Sequence, residues 1–452
     1  MRDRYLITSS LVIISLGMMT AAFPEGAASI LIVLVMSLTA LTVFRRYSTD
    51  KEFITTVFLG ALMIRLAFGV IIHVFEYRDF FGADAVTYDF NGWRLVEYWT
   101  GVVPPDDIAA RRAGGPNWGM NYLVAGIYYI FGRNIFAAQS FCAVFGAATA
   151  PMVYFCAAKM LGNKRVARTS ALAIAFFPSF IIWSSQLMKD GLVIFLLVLA
   201  MTMVLQLQNK FNYVALALLL FSLFGILSLR FYIFYMVAIA VAGSFIIGVT
   251  GPTQSIVRRT VALMLLGLGL TYLGVIRNAS SDFEKYASFE QIQNSRQDLA
   301  QSAESGFNED VDVSTAQGAI SAVPVGFMYL MFAPFPWEMS NFRQTITLPE
   351  VLIWWAMMPL LAAGLWYTIR QRLRNATPIL IFSLMLTIAY SIFQGNVGTA
   401  YRQRTQIQVF LFIFISVGVT LYLEAKENKR LIRDAKRKQF DELLRARKQE
   451  VN

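Results

Sequence analysis

The chain has 452 residues, of which 57% are hydrophobic and 15% charged, with a mean hydropathy of +0.56. A soluble domain cannot bury that much apolar surface, so the composition predicts an all-α polytopic membrane protein. The net charge of +11 is expected to come from basic loops that orient the helices, and we expect no nucleic-acid partner. Cys142 and Cys156 share one apolar stretch, which argues against a disulfide framework and a thiolate metal site.

About twelve apolar stretches approach the roughly 20 residues that a membrane helix needs. They lie near 5–22, 28–44, 53–75, 136–158, 167–184, 190–207, 212–228, 231–249, 260–276, 350–369, 378–393 and 406–423. The first follows a basic N-terminus like a signal peptide but lacks a convincing cleavage site, so we expect a retained helix.

The charges between these stretches predict an orientation. With a cytoplasmic N-terminus, every charged cytoplasmic segment is basic, whereas residues 277–320 on the opposite side hold eight acids and three bases. This alternation follows the positive-inside rule. It predicts a multi-pass protein of the inner (plasma) membrane with both termini cytoplasmic, surrounded by membrane lipids.

Two apolar pieces, 119–131 and 322–333, are too short to span and are expected to be interfacial or re-entrant helices on the outer face. The predicted organisation is therefore two extra N-terminal membrane helices in 1–51 and a membrane domain in 52–423. That domain has outer loops at 76–135 and 277–349. A basic cytoplasmic tail follows in 424–452, with helix-friendly charge spacing.

Several ionisable residues fall on the predicted outer face, each near a helix end. They are Asp84, Asp89, Arg94, Lys189, Asp190, Arg230, Arg402 and Arg404. A transporter more often places its charges midway along its helices. A site at headgroup level suits a lipid-linked substrate, whose phosphate lies at the membrane surface. Carboxylates there could act as a general base or hold a metal, and arginines could bind the phosphate.

Several segments of the sequence resemble those of a known group of proteins. The run from Asp84 to Trp93, followed by "GGPNWGMNYLVAGIYYIFGRN" and by "FFPSFIIWSSQLMKDGLVIF", is similar to the N-terminal half of GT-C superfamily membrane glycosyltransferases. The resemblance is to the bacterial family 39 and protein-mannosyltransferase-like group. It covers roughly residues 55–205, and "TAYRQRTQIQVF" near the C-terminus resembles the closing Arg-x-Arg segment of that group.

The resemblance implies roles for the candidate residues. Asp84, with Asp89, would be catalytic, and Arg402, Arg404, Arg230 and Lys189 would bind the donor phosphate. Asp190, Trp93, Arg94 and Tyr122 would contact substrate. The chain departs from this group in two ways. Two helices precede the usual starting point of the group, and Asp84 and Asp89 lie five residues apart. This spacing leaves open whether the two acids hold a divalent metal ion.

The expected function is transfer of a sugar from a polyprenyl-phosphate donor to a glycan, lipid or protein acceptor on the non-cytoplasmic face. Such a reaction would serve cell-envelope or exopolysaccharide synthesis. Two alternatives stay open. One is a polysaccharide polymerase or ligase of the O-antigen type, which would use a diphosphate donor and need no base at Asp84. The other is a transporter of lipid-linked glycans, for which the sequence lacks the inverted repeats.

Overall fold

The computed structural model describes residues 26–82, 84–104, 106–115, 117–247, 288–301, 306–307, 311–339 and 342–450. It also describes isolated positions between 7 and 18, and residue 267. The predicted spans at 5–22 and 260–276 lie outside the described residues apart from those isolated positions. The first part of the predicted outer loop, up to residue 287, is outside as well.

The described helices are numbered here in chain order. They are α1 (Gly26–Tyr47), α2 (Lys51–Val74), α3 (Arg78–Phe81), α4 (Asp84–Trp99), α5 (Ile108–Ala113), α6 (Gly119–Phe131), α7 (Ile135–Leu161), α8 (Lys164–Phe176), α9 (Pro178–Ser184), α10 (Asp190–Asn209), α11 (Tyr213–Leu229), α12 (Phe231–Ile247), α13 (Phe289–Gln301), α14 (Ala316–Phe332), α15 (Phe342–Ala356), α16 (Met358–Phe393) and α17 (Val397–Glu450). Within the described ranges the only extended pairing is an isolated bridge between Gly306 and Asn396. The predicted all-α class is confirmed.

Six of these helices, α1, α2, α7, α10, α16 and α17, are long and apolar enough to cross a membrane, judged by length and composition. The bent pair α8 and α9 makes a seventh if it counts as one span. An integral multi-pass membrane protein follows. The number twelve stays a prediction, since two of the predicted spans lie outside the described residues.

The predicted span 167–184 is broken. Helix α8 ends at Phe176 and α9 begins at Pro178, and their axes differ by 54°. Proline has no N–H and disfavours helical backbone in the residue before it, so a helix cannot run straight through this point. Phe177 is accordingly extended, with φ −71° and ψ 129°. The break turns the axis of α9 away from that of α8.

The predicted span 350–369 is wrong in its bounds: α15 covers 342–356, the helix is interrupted at Met357, and α16 continues from Met358. Helix α16 is interrupted in turn at Arg372, where φ is −139°. On either side of Arg372, Gly364 packs on Phe414 and the ring of Phe382 lies 5.7 Å from that of Phe410. A straight helix would separate residues 364 and 382 by about 27 Å. Their partners in α17, Phe414 and Phe410, are only one helical turn apart. The segment therefore bends sharply at Arg372, between the predicted spans 350–369 and 378–393.

The two short apolar pieces are both helical. Helix α6 has the predicted bounds, 119–131. Helix α14 begins at Ala316, six residues before the predicted start at 322, because the Thr315 side chain accepts a hydrogen bond from the Gly318 N–H at 3.1 Å and caps the helix. At 17 residues it is about 26 Å long.

The core of the bundle centres on α7, α10 and α17, whose most apolar stretches are 78%, 83% and 78% buried. Helix α7 contains eight alanines and one glycine, Gly146, and these small residues let α2, α8 and α10 approach closely. At one end of the bundle, Arg168 pairs with Asp50 at 2.6 Å and Arg165 with Glu427 at 3.3 Å. The candidate functional residues lie at the opposite end.

Candidate functional site

The candidate site forms where the ends of several helices meet. Asp84 is the first residue of α4 and Asp190 the first residue of α10. An acid in the first turn of a helix is stabilised by the helix dipole. Arg230 lies between α11 and α12, and Arg402 lies in the second turn of α17. The fold thus brings together residues as much as 318 positions apart.

Arg402 bridges the two acids. Its Nη1 donates to Oδ2 of Asp84 at 2.8 Å, and its Nε and Nη2 lie 2.7 and 2.6 Å from Oδ2 of Asp190. The other oxygen of Asp190, Oδ1, accepts from Nη2 of Arg230 at 2.8 Å. The four side chains form a continuous chain in the order Asp84, Arg402, Asp190, Arg230, here called the charged cluster. Charge-assisted bonds of this kind are among the strongest in proteins.

Burial divides the charged cluster into two halves. The side chains of Asp190 and Arg230 are 0% and 5% exposed, whereas those of Arg402 and Asp84 are 16% and 47% exposed. A fully buried carboxylate persists only when paired, and Asp190 has two cationic partners. Asp190 therefore holds the two arginines in place, and Asp84 is the carboxylate that a substrate can reach.

Lys189 adds a third cation beside the cluster. Its Nζ lies 6.0 Å from the ring centroid of Tyr88, at the edge of cation–π range. Burial, with a smaller effect of the guanidinium of Arg230, lowers the pKa of Lys189 from its ordinary 10.5 to about 7. Asp190 acts in the opposite direction and offsets this only in part. Lys189 can therefore change charge near neutral pH.

A cleft of about 680 Å³ opens beside Arg402. Its walls combine apolar and polar side chains, namely Phe80, Phe81, Ile182, Trp183, Pro334, Phe342, Arg343, Gln344, Ile346, Thr347, Asn396, Val397, Gly398, Thr399, Tyr401 and Arg402. The Trp183 ring lies beside the guanidinium of Arg402, with 5.8 Å from the ring centroid to Cζ. One cleft thus offers an apolar surface together with a fixed cation, the combination that an amphipathic phosphate requires.

Arg404 lies apart from Arg402, although both were expected to bind the donor phosphate. Both residues are in helix α17, where positions two apart point in nearly opposite directions. Arg404 is 0% exposed and donates from Nη1 to the carbonyls of Met331 and Ala333, each at 3.0 Å. It therefore closes the C-terminal end of α14, where a cation is favoured.

Asp89 is also separated from the cluster. Five residues along a helix amount to about 140° of rotation, so the two acids of α4 face different neighbours. Asp89 pairs with Arg133 at 2.6 Å and accepts from the hydroxyl of Tyr128 at 2.6 Å. No group of three or more His, Cys, Asp or Glu side chains suited to a metal occurs among the described residues. Asp84 and Asp89 have different partners and face different neighbours, so they do not form a shared metal site.

The remaining predicted contacts also lie outside the charged cluster. Arg94 donates to both carboxylate oxygens of Asp107, at 3.2 and 2.6 Å. Tyr122 is 39% exposed, with its ring among the rings of Trp99 and Trp118. Trp93 is half-buried and packs on the hydrophobic core. These side chains stabilise the surface helices α4 to α6.

Sequence reasoning missed three aromatic side chains that frame the cluster. They are Trp183 and Tyr88, already described, and Tyr232, whose hydroxyl accepts from Nη1 of Arg230 at 2.8 Å. Each lies within seven residues of a predicted charged residue, so an aromatic next to a helix-end charge was the available signal. Aromatic residues at helix ends are also common membrane anchors, which made that signal weak.

Together these residues can bind an anion and move a proton. Arg402, Arg230 and Lys189 supply positive charge to a phosphate, and the exposed carboxylate of Asp84 can accept a proton from a hydroxyl group.

The chain was compared with known proteins. Residues 110–266 match the family described as dolichyl-phosphate-mannose-protein mannosyltransferase. The match overlaps the predicted resemblance, roughly 55–205, from residue 110 onward, and it contains Lys189, Asp190 and Arg230. Asp84 and Arg402 lie outside it. The search of curated proteins found no match. Residues 110–266 are thus similar to a family of the GT-C superfamily, and the match points to a membrane glycosyltransferase that uses a lipid-linked sugar.

Proposed function

We propose that the protein transfers a sugar from a polyprenyl-phosphate donor to an acceptor on the non-cytoplasmic face of the membrane, in the synthesis of a cell-envelope or exopolysaccharide glycan. The observation that carries this proposal is the charged cluster, whose Arg402 lines the cleft. In this cluster the exposed carboxylate of Asp84 lies 2.8 Å from Arg402. The buried carboxylate of Asp190 accepts hydrogen bonds from Nε and Nη2 of Arg402 and fixes its position.

The donor would place its phosphate against Arg402 and its isoprenoid chain along the apolar wall of the cleft. Arg402 keeps its charge at every physiological pH and offers planar N–H donors that match phosphate oxygens. Trp183, Phe80 and Phe342 supply apolar lining. Such a wall suits a hydrocarbon chain that extends from the bilayer.

Asp84 would act as the general base. Its carboxylate would take the proton from the acceptor hydroxyl, the hydroxyl oxygen would form a bond to the anomeric carbon, and the bond from that carbon to the phosphate oxygen would break. The negative charge left on the polyprenyl phosphate would be stabilised by Arg402, with Lys189 nearby. Attack from the face opposite to the leaving phosphate would invert the anomeric configuration.

The proposal is tested with purified protein, a polyprenyl-phosphate sugar labelled in the sugar, and membrane extract as the source of acceptor. The label is expected to leave the donor in the presence of wild-type protein. Equal consumption of a polyprenyl-diphosphate oligosaccharide instead would favour the polymerase or ligase alternative.

Arg402→Lys is expected to raise the donor KM about tenfold, although the charge is kept. One ammonium group cannot hold Asp190 and Asp84 and also bind a phosphate as the guanidinium fork can. The measurement is the rate of transfer against donor concentration. Arg404→Lys is the matched control, since Arg404 is buried, contacts backbone carbonyls and is absent from the cleft lining: its donor KM is expected to stay at the wild-type value. Equal KM values for the two variants would contradict a phosphate role for Arg402.

Donor binding is expected to weaken as the pH rises from about 6 to about 8. The phosphodiester of the donor keeps one negative charge over this range. The pKa of Lys189, lowered to about 7, means that its ammonium is protonated at the lower pH and loses its charge, and its attraction for phosphate, as the pH rises. The Kd of the donor measured across this range is expected to increase for the wild type and to be nearly flat for Lys189→Gln. Lys210→Gln, distant from the cluster, should keep the wild-type slope. A wild-type slope in Lys189→Gln would refute the role of this lysine.

A further inference from the structure

Arg65 is a buried arginine in the middle of α2, one of the candidate membrane spans, and it is 0% exposed. Among the described residues no carboxylate lies within ion-pair distance of it. Its guanidinium instead donates to the carbonyls of Ala175 at 2.9 Å and Ile174 at 3.1 Å, and to Oγ of Ser184 at 2.8 Å. An arginine in a membrane span is costly, so these bonds point to a specific task.

The partners of Arg65 show what that task is. Ile174 and Ala175 are in the last turn of α8, and Ser184 ends α9. Because Pro178 has no N–H, the carbonyl of Ile174 has no helical partner four residues on. Unpaired carbonyls are unfavourable inside a membrane. Arg65 satisfies both carbonyls and, through Nε, holds the far end of α9. One side chain thus spans the 54° bend.

Helix α9 carries two residues that line the cleft, Ile182 and Trp183. Trp183 lies beside the guanidinium of Arg402, and Oγ of Ser179 lies 2.9 Å from the hydroxyl of Tyr401, which also lines the cleft. The position of α9 therefore sets the distance between the aromatic ring of Trp183 and the cation of Arg402.

The surroundings of Ser184 leave little freedom for α9 to shift. A Cβ atom at Gly146 would come within 2.3 Å of Cβ of Ser184, and a Cβ at Gly191 within 2.8 Å. Glycines at both positions therefore allow α7 and α10 to touch Ser184 directly. A change in the bonds from Arg65 is then transmitted to Trp183, the neighbour of Ser184 in the chain.

We propose that Arg65 is a positioning residue for the donor site: it fixes α9 across the break at Pro178 and so holds Trp183 against Arg402. This inference rests on the proposed function, since the ligand bound beside Arg402 is taken to be a polyprenyl phosphate. Arg65 itself contacts no substrate. Its effect on the reaction passes through Trp183.

The test measures binding of polyprenyl monophosphate, the donor without its sugar, to full-length protein in detergent or nanodiscs. Arg65→Lys keeps the charge but cannot reach both the carbonyls of α8 and Ser184. Its Kd is expected to rise about tenfold, as is that of Trp183→Ala. If Arg65 acts through Trp183, the double variant should be little worse than either single one, because the two effects share one route.

Arg168→Lys provides a matched control. Arg168 is in α8, the helix whose carbonyls Arg65 contacts, but it pairs with Asp50 at the other end of the bundle. Its Kd should equal that of the wild type, and the double variant Arg168→Lys with Trp183→Ala should bind as Trp183→Ala alone does. In transfer assays Arg65→Lys should raise the donor KM and leave kcat at saturating donor within about threefold. A general loss of folded protein would instead lower the amount of active enzyme without changing KM.

The outcomes separate the two proposals. If the wild type binds polyprenyl phosphate and the losses of Arg65→Lys and Trp183→Ala multiply, the positioning role is overturned and the proposed function stands. If the wild type does not bind polyprenyl phosphate, both are overturned. Should Arg65→Lys fail to accumulate, Ser184→Ala removes one contact of Arg65 at little change in volume and is expected to show the same non-additivity with Trp183→Ala. If the losses in affinity of Ser184→Ala and Trp183→Ala multiply in the double variant, the positioning role is overturned as well.

Discussion

Asp84→Asn is expected to lower the rate of sugar transfer by about 10²–10⁴-fold, with the protein still present in the membrane at wild-type abundance. The amide keeps the shape of the carboxylate but cannot accept a proton from the acceptor hydroxyl. Since the side chain of Asp84 is 47% exposed and lies at the first residue of α4, the substitution should leave the fold intact. The measurement is the initial rate at saturating donor, normalised to purified protein.

Asp89→Asn is the matched control for this prediction. It makes the same chemical change in the same helix, but Asp89 pairs with Arg133, away from the cleft. A surface ion pair contributes little, so transfer should stay within a few-fold of the wild type. Activity of Asp84→Asn comparable to that of Asp89→Asn would exclude Asp84 as the base.

Asp190→Asn is expected to reduce both stability and transfer. The substitution leaves the guanidinium groups of Arg230 and Arg402 without their shared carboxylate in a buried site, and breaking a buried pair costs about 3–5 kcal/mol. The temperature of unfolding in detergent should fall, and the donor KM should rise because Arg402 is no longer held.

A second substitution separates these two effects. In the double variant Asp190→Asn with Arg230→Gln, one unpaired charge is removed, so part of the lost unfolding temperature should return while transfer stays low. Thermal unfolding and transfer are measured on the same preparations. If Asp190→Asn unfolds and reacts like the wild type, the charged cluster is not the support that we describe.

Much of the site could be predicted from sequence because charges are rare in this chain and fall at helix ends. This pattern predicts a site made of Asp84, Lys189, Asp190, Arg230 and Arg402. The fold brings these five side chains close together. Their pairing could not be predicted. Arg402 and Asp190 are 212 residues apart, and no local pattern states which helix ends meet.

Arg404 shows where local reasoning failed. The segment 394–405 is polar and contains two glycines, a composition typical of a loop. Tertiary contacts override that composition: α17 begins at Val397, and Thr405, Gln406 and Gln408 are fully buried between helices. Helical rotation then sends Arg404 toward α14 and leaves only Arg402 of the pair in the cleft.

The fold was predicted best where an apolar stretch is continuous. The stretches 28–44, 53–75, 136–158 and 190–207 correspond to single helices. Hydropathy averages over a window, so it did not detect the breaks at Phe177 and Met357. The break at Phe177 sends α9 toward the cleft that it helps to line. A single arginine inside an apolar stretch, Arg65, was the available signal for the side chain that spans this break.

The most direct test of the central claim is mass spectrometry of lipid-linked sugars in cells that lack the gene, complemented with the wild type or with Asp84→Asn. We predict that a polyprenyl-monophosphate sugar accumulates in the deletion strain, disappears on complementation with the wild type, and persists with Asp84→Asn. Accumulation of a polyprenyl-diphosphate oligosaccharide, or complementation by Asp84→Asn, would contradict transfer from a polyprenyl-phosphate donor with Asp84 as the base.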